Sequence, residues 1–178
     1  MTKTIFMTGL PCSGKTTIAE GLFKIFKDKG VNQVYLDGDV VREGLNEDLF
    51  FSTRDRIENL RRISQVCKIL NNQSILAIAS FVSPTKKIRK MISNIIGEEK
   101  IIWCYVKCSV DKCIERDVKG MYKKALNGQI PDFTGVNAVY EEPQQDKEDI
   151  IIVDSEHMTV GACIQEIINS LTERGVLN

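Results

Sequence analysis

No charge of either sign predominates in this sequence: 24 lysines and arginines balance 24 aspartates and glutamates in 178 residues. That balance leaves no basic field of the kind that draws a chain to nucleic acid. No long apolar run is present either. The longest nearly uncharged stretch, around 74–82, is far short of the roughly 20 residues a membrane helix needs. The six cysteines (Cys12, Cys67, Cys104, Cys108, Cys113 and Cys163) form no C-x-x-C, and the spacing of the middle three fits no zinc pattern. In a reducing compartment they read as small apolar core or loop residues. Internal repeats, low-complexity tracts and linkers are absent, so one domain over 1–178 is expected. Residues 1–4 lead directly into an apolar strand-like run, which leaves no room for a signal peptide. A cytoplasmic location follows as the expectation, with neither membrane nor nucleic acid as partner. The single histidine, His157, follows the last predicted strand and is assigned no role.

What is present begins at once. Residues 9–16 read Gly-Leu-Pro-Cys-Ser-Gly-Lys-Thr, a complete G-x-x-x-x-G-K-[ST] loop. Gly9 and Gly14 let the chain wrap so that backbone N–H groups of the loop, whose other members are Leu10, Pro11, Cys12 and Ser13, point at phosphate oxygens. Lys15 is placed to reach the β- and γ-phosphates, and the Thr16 hydroxyl to ligate Mg²⁺, with Thr17 completing the loop. The context agrees: an apolar run precedes the loop, and Ile18, Leu22, Ile25 and Phe26 follow at helical spacing. A strand, a glycine loop and a helix amino terminus together make an anion site, because unpaired N–H groups and the helix dipole both favour phosphate. A nucleoside triphosphate is therefore the expected ligand. Cys12, near the Lys15 charge and the helix start, is open to two readings, redox sensitivity or plain occupancy of a loop position.

Further along, hydrophobic periodicity predicts strands near 33–37, 75–82, 100–108 and 150–153. Helices are predicted near 54–71 (capped by Ser52 or Thr53), after Pro84, over 110–117 and over 159–173. Alternating strands and helices predict an α/β fold, a parallel sheet with helices on both faces. The glycine loop at the first strand–helix turn puts the site at the carboxyl ends of the strands. Residues 127–148, with Gly128, Pro131, Gly135, Pro143 and several carboxylates, read as an extended mobile loop, part of a candidate lid over about 116–148.

Three clusters narrow the chemistry. In Leu36-Asp-Gly-Asp-Val-Val-Arg42, Asp37 and Asp39 stand at the end of the second strand. One of them can hold Mg²⁺ through water or accept a proton from an attacking hydroxyl; a plain Asp-Gly turn is the alternative. Arg42, a helical turn on, would clamp an anionic acceptor. In the second cluster Phe50 and Phe51 precede Arg54 and Arg56, which suits ring on base and guanidinium on phosphate; taken alone, two core phenylalanines and a solvated basic helix face would be the favoured reading. The third runs from Arg116 through Lys119 to Lys124 and on to Phe133-Thr-Gly135. Its D-x-x-G over 117–120 resembles a GTPase switch, but it falls late in the chain and no N-K-x-D guanine-reading segment accompanies it.

Taken in order, these residues resemble the adenylyl-sulfate (APS) kinase family. The resemblance is carried by 9–16, Leu36-Asp-Gly-Asp39, Arg42, Gly44-Leu-Asn, Asp48-Leu, Phe51-Ser, Asp55-Arg56, Glu58-Asn59, Arg61-Arg62-Ile63, Ser83-Pro84, 115–120, 122–125, Phe133-Thr-Gly135 and Tyr140-Glu. It implies a P-loop kinase fold and transfer of the γ-phosphate of ATP, with Mg²⁺, to the 3′-hydroxyl of adenylyl sulfate. It implies Asp39 as the essential acidic residue near metal and acceptor, with Asp37 in support. Arg42, Arg56 and Asn59 would bind the phosphosulfate and ribose of the acceptor. Phe51 and Phe133 would sandwich its adenine, with Val82, Ser83 and Thr134 also on the acceptor side and Lys119 approaching from the lid. Ser83 matches the serine described in the family as a phosphoserine intermediate, and direct in-line transfer would leave it an acceptor-site residue instead. The chain departs from the family at Pro11-Cys12, at Phe50 (commonly glycine) and at Thr85 (often aromatic). A related kinase acting on the ribose hydroxyl of another nucleotide-linked acceptor is the alternative, and a homodimer is left open.

Overall fold

Strand residues alternate between two faces, and here the alternation sorts the core into two layers. The computed structural model describes residues 3–144 and 149–176. Along the chain run β1 (Thr4–Thr8), α1 (Lys15–Asp28), β2 (Gln33–Asp37), α2 (Gly38–Arg42), α3 (Thr53–Asn72) and β3 (Leu76–Ser80). Then follow α4 (Lys86–Ile96), a 3₁₀ turn (Glu98–Lys100), β4 (Ile101–Lys107), α5 (Val110–Arg116), α6 (Met121–Leu126), β5 (Ile150–Asp154) and α7 (Val160–Glu173). Ile5 and Met7 of β1 join Ile18, Leu22 and Phe26 of α1 and Ile167 and Leu171 of α7. Phe6, between them, points the other way, into Leu60, Ile63 and Cys67 of α3 and Ile92 and Ile96 of α4. Burial of all five residues in both β1 and β3 is the consequence of helices on both sides.

All strand pairs are parallel, in the order β2-β3-β1-β4-β5. The chain leaves β1 for the edge, returns to β3 beside it, then crosses β1 to reach β4. Such a reversal opens a crevice at the carboxyl ends of the central strands, and Gly9 follows β1 directly into it. Ser52, Thr85, Ser109 and Thr159 each cap a helix, accepting a hydrogen bond from the amide three residues on. α1 differs: its first flanking residue is Gly14, left-handed at φ +97°, with no side-chain cap. The amides at that helix start are thereby left for an anion.

Two short helices, α2 and α6, escape the sequence reading, since five or six residues carry too little periodicity to register. Residues 127–144 hold no long element, as expected, yet they are tied down. The amides of Val136, Asn137 and Ala138 all donate to the Phe133 carbonyl, and Glu141 N–H donates to the Pro84 carbonyl at 2.8 Å. Leu10, Cys108, Cys113, Tyr122, Ala125 and Phe133 form a third apolar cluster at the strand ends. The end of the predicted lid, 145–148, lies outside the described residues. Among the described residues no helix is long and apolar enough to cross a membrane.

Candidate active site

Gly9 is compelled by its surroundings. Its φ is +154°, and a Cβ would sit 2.6 Å from the Val106 carbonyl oxygen and 2.7 Å from Ser13 Oγ. Ser13 N–H closes the loop on the Leu10 carbonyl at 3.2 Å. Cys12 occupies the left-handed region at φ +61°, a conformation a glycine would hold with less strain. Lys15 folds back over this loop, donating to the carbonyls of Gly9 (3.0 Å) and Leu10 (2.6 Å). Thr16 and Thr17 lie exposed on the first turn of α1.

Thr16 Oγ1 donates to Asp37 Oδ2 at 3.0 Å, which brings the end of β2 against the phosphate loop. Asp37 also accepts from the Tyr35 hydroxyl (2.9 Å) and, as the cap of α2, from Asp39 N–H (2.9 Å). Burial alone would raise the Asp37 pKa; the hydrogen bonds from Asp39 N–H, Tyr35 and Thr16 outweigh it and hold the carboxyl below its usual range. Asp39 is different: its side chain is 67% exposed and pairs with Lys119 from the α5–α6 turn. Arg42 donates to the carbonyls of Leu49 (3.2 Å) and Phe50 (3.0 Å) and lies 4.8 Å from the centre of the Phe51 ring. Arg56 Nε holds the Phe51 carbonyl at 2.8 Å. Two cations and an exposed ring therefore share one wall.

Just beyond the end of β3, Ser83 has φ +45° and is 1% exposed. Its hydroxyl has no hydrogen-bond partner. The Val82 carbonyl beside it accepts from Thr8 Oγ1 at 2.7 Å. Phe133 and Thr134 are buried; the Phe133 ring meets Tyr122 edge-on at 4.9 Å and 79°. Asn59 is buried in α3, its Oδ1 accepting from Asn46 Nδ2 at 2.8 Å.

The family model for adenylylsulphate kinase matches residues 1–152. The chain belongs to the adenylylsulphate kinase family. An adenylyl-sulfate kinase of Staphylococcus epidermidis is 42% identical over 169 residues, 95% of this chain and 83% of that one. One from Bacillus licheniformis is 47% identical over 140 residues, 79% of this chain and 71% of that one. Among solved structures, the Mycobacterium tuberculosis APS kinase in complex with AMPPNP and APS superposes with a TM-score of 0.89. It is 33% identical, over 96% of this chain and 98% of that one.

Within this family member, the structure adds Ser155 and shows contacts that the sequence did not assign. Arg116 Nη2 donates to the Ser155 carbonyl at 2.6 Å, and Ser155 Oγ donates to the Ser13 carbonyl at 2.6 Å. The phosphate loop is thus braced from the β5–α7 turn, a contact across 142 residues of sequence. Tyr122 braces it from α6, its hydroxyl donating to the Pro11 carbonyl at 3.0 Å. Around Asn59, Arg62 forks onto Asp48 (2.7 and 2.8 Å) and reaches Glu58 at 3.0 Å. Arg61 and Arg62 together hold Glu58 down at about 2. This network fixes the 44–49 segment that Arg42 binds. The family resemblance names these residues, but nothing local in their spacing shows whom they contact.

Burial lowers the Lys15 ammonium from 10.5 to about 8. Were a triphosphate bound beside it, the charged form would be favoured and the pKa would rise. In that case the free chain would take up a proton on binding ATP above pH 8, and affinity should fall toward tenfold per pH unit. Calorimetry in two buffers of different ionisation enthalpy reads that proton directly: uptake near zero at pH 7 and approaching one at pH 9. Equal uptake at both pH values would remove Lys15 as the linked group.

Proposed function

We propose that this chain transfers the γ-phosphate of ATP to the 3′-hydroxyl of adenylyl sulfate, yielding 3′-phosphoadenylyl sulfate and ADP. The observation that carries the reading is the Thr16–Asp37 hydrogen bond. It brings the phosphate loop against the end of β2, from which the wall bearing Asp39, Arg42, Phe51 and Arg56 continues, so donor and acceptor can meet without a covalent relay. The complex of the mycobacterial relative with AMPPNP and APS supports the same pair of substrates.

In this reading Lys15 exchanges its loop carbonyls for the β- and γ-phosphates, and the open amides at the start of α1 take the remaining phosphate oxygens. Thr16, Asp37 and Asp39 are hard oxygen donors at one place, which fits Mg²⁺ held by a few protein groups together with phosphates. When bound, that ion supplies neutralising charge to the transferring group. Asp39, once released from Lys119, accepts the proton of the 3′-hydroxyl. Arg42 and Arg56 receive the phosphosulfate, and Lys119, freed by the same exchange, closes on it from the lid side. The open Phe51 ring stacks on adenine, with Phe133 and Thr134 forming the wall behind it.

Ser83 enters as a hydrogen-bonding group. A phosphoserine there would need space for three phosphoryl oxygens around a hydroxyl that is already buried. Direct in-line transfer needs only positioning and charge stabilisation, and an unpartnered buried hydroxyl is what an acceptor can satisfy.

The test is ADP release by the purified chain with Mg-ATP, comparing adenylyl sulfate, no acceptor and a small panel of nucleotides. Strong stimulation by micromolar adenylyl sulfate alone, with 3′-phosphoadenylyl sulfate as product, is the expected result. Stimulation by a different nucleotide would keep the kinase and replace the acceptor.

A further inference from the structure

Residues 82–84 form a turn under constraint. Ser83 holds a left-handed φ of +45°, and a non-glycine residue stays in that region only where its surroundings over-determine it. The surroundings are identifiable, because three consecutive carbonyls each take a hydrogen bond from outside the turn. Val82 O accepts from Thr8 Oγ1 at 2.7 Å. Ser83 O accepts from Arg89 Nη1 at 3.3 Å. Pro84 O accepts from Glu141 N–H at 2.8 Å.

Two of these three tethers lead to the 133–141 segment. Thr8 has one hydroxyl hydrogen, and the short contact to Val82 O uses it. At the 3.0 Å contact between Thr8 Oγ1 and the Tyr140 hydroxyl, the phenol is therefore the donor, giving a chain Tyr140 → Thr8 → Val82. The Tyr140 ring is seated against Tyr105 at the end of β4, with centroids 5.9 Å apart. Glu141 adds a second bond: its Oε2 accepts from Lys86 N–H at 2.6 Å, at the first residue of α4. A carboxylate at a helix amino terminus is favoured by the dipole as well as by the hydrogen bond. The other end of the segment rests on the phosphate loop. Gly135 lies so close to Leu10 that a Cβ there would come within 3.0 Å of Leu10 Cδ2, and Phe133 packs in the same cluster as Leu10.

We propose that Tyr140 and Glu141 are positioning residues: as a strap across the ends of β4, β1 and β3, they hold the Val82–Pro84 turn in the shape that receives the acceptor. The inference rests on the acceptor reading given for Ser83 above. Neither side chain touches a substrate in it. Tyr140 works through Thr8, and Glu141 through its backbone bond to Pro84 and its carboxylate on Lys86 N–H, which anchors the start of α4 directly after the turn.

The experiment compares wild type with Tyr140→Phe, Glu141→Gln and the double variant, all as the full chain. Tyr140→Phe keeps the ring on Tyr105 and removes only the hydroxyl. Glu141→Gln keeps the backbone bond to Pro84 and weakens the cap on α4. Each should raise the KM for adenylyl sulfate about threefold to tenfold, the scale of one hydrogen bond. The kcat at saturation and the Kd for a non-hydrolysable ATP analogue should stay within about twofold, a split that general loosening would not produce. Hydrogen exchange at residues 81–85 should speed up in both variants. A double variant with unchanged acceptor KM would overturn the proposal, as would an equal loss of ATP-analogue affinity. If wild type fails to turn over adenylyl sulfate, the functional reading falls instead. Exchange at 81–85 then still decides the positioning role, and unchanged exchange rejects it.

Discussion

Asp39→Ala is expected to lower kcat by at least about a hundredfold, the scale of a general acid–base contribution, while melting close to wild type. Both halves of that expectation come from the site. The Asp39 side chain is mostly exposed, and its pair with Lys119 joins two solvent-facing groups, a kind of contact worth about 0–1 kcal/mol. Losing it costs the fold little. Losing the carboxylate removes an exposed acidic group whose side-chain partner is Lys119 of the α5–α6 turn, and so one that can change partners when substrates arrive. Steady-state kinetics with a melting curve checks both halves together. A correctly folded variant with near-normal turnover would take Asp39 out of the chemistry. Asp37→Ala is the instructive contrast. Asp37 caps α2 and satisfies Thr16 and Tyr35, so its removal should cost about 0.5–2 kcal/mol for the cap alone. Any loss of rate there would be mixed with loss of structure.

The pair also marks how far the sequence could be read. Asp37 and Asp39 stand two apart in an Asp-Gly-Asp run, and nothing in that run distinguishes a buried structural carboxylate from an exposed reactive one. Only the short helix α2 separates them: it turns Asp37 inward as its cap and leaves Asp39 on its outer face. The phosphate loop was legible because its spacing is itself the mechanism, with every glycine and the lysine at fixed offsets. The sheet was legible from apolar runs and helical periodicity. Strand order was not: a parallel sheet follows from alternation, but the reversal at β1 is fixed by which helix packs on which face.

Long-range side-chain contacts were the least legible part. Ser155 grips the phosphate loop from across most of the chain, and Tyr140 reaches back to Thr8. No local pattern encodes such pairings, because neither partner is unusual for its own segment. Ser83 was visible as a matched residue open to two readings, phosphoserine or acceptor-site residue, and its buried, unpartnered hydroxyl supports the second. The glycine- and proline-bearing stretch after 127 looked like free loop for a related reason. Its hydrogen bonds are made to Phe133, Pro84 and Lys86 and not in any periodic ladder that composition would reveal.

Phe133→Ala is expected to weaken both nucleotides and to lower the melting temperature by on the order of 10 °C. Were Phe133 an open stacking surface, its loss would cost the acceptor alone about 1–3 kcal/mol. In the structure its ring is only 6% exposed and packs in one cluster with Leu10 and Tyr122. Leu10 is part of the phosphate loop, and Tyr122 holds the Pro11 carbonyl of that loop. Truncating a buried phenylalanine typically costs about 3–5 kcal/mol, and here the slack falls on the phosphate loop. Phe51→Ala supplies the matched control: its ring is 57% exposed, so acceptor KM should rise roughly fivefold to 150-fold, with ATP affinity and melting unchanged. Binding of an ATP analogue, acceptor KM and thermal melts on the two variants separate the roles. If Phe133→Ala instead spares ATP and stability while weakening only the acceptor, the ring must leave its cluster to meet adenine when the site closes.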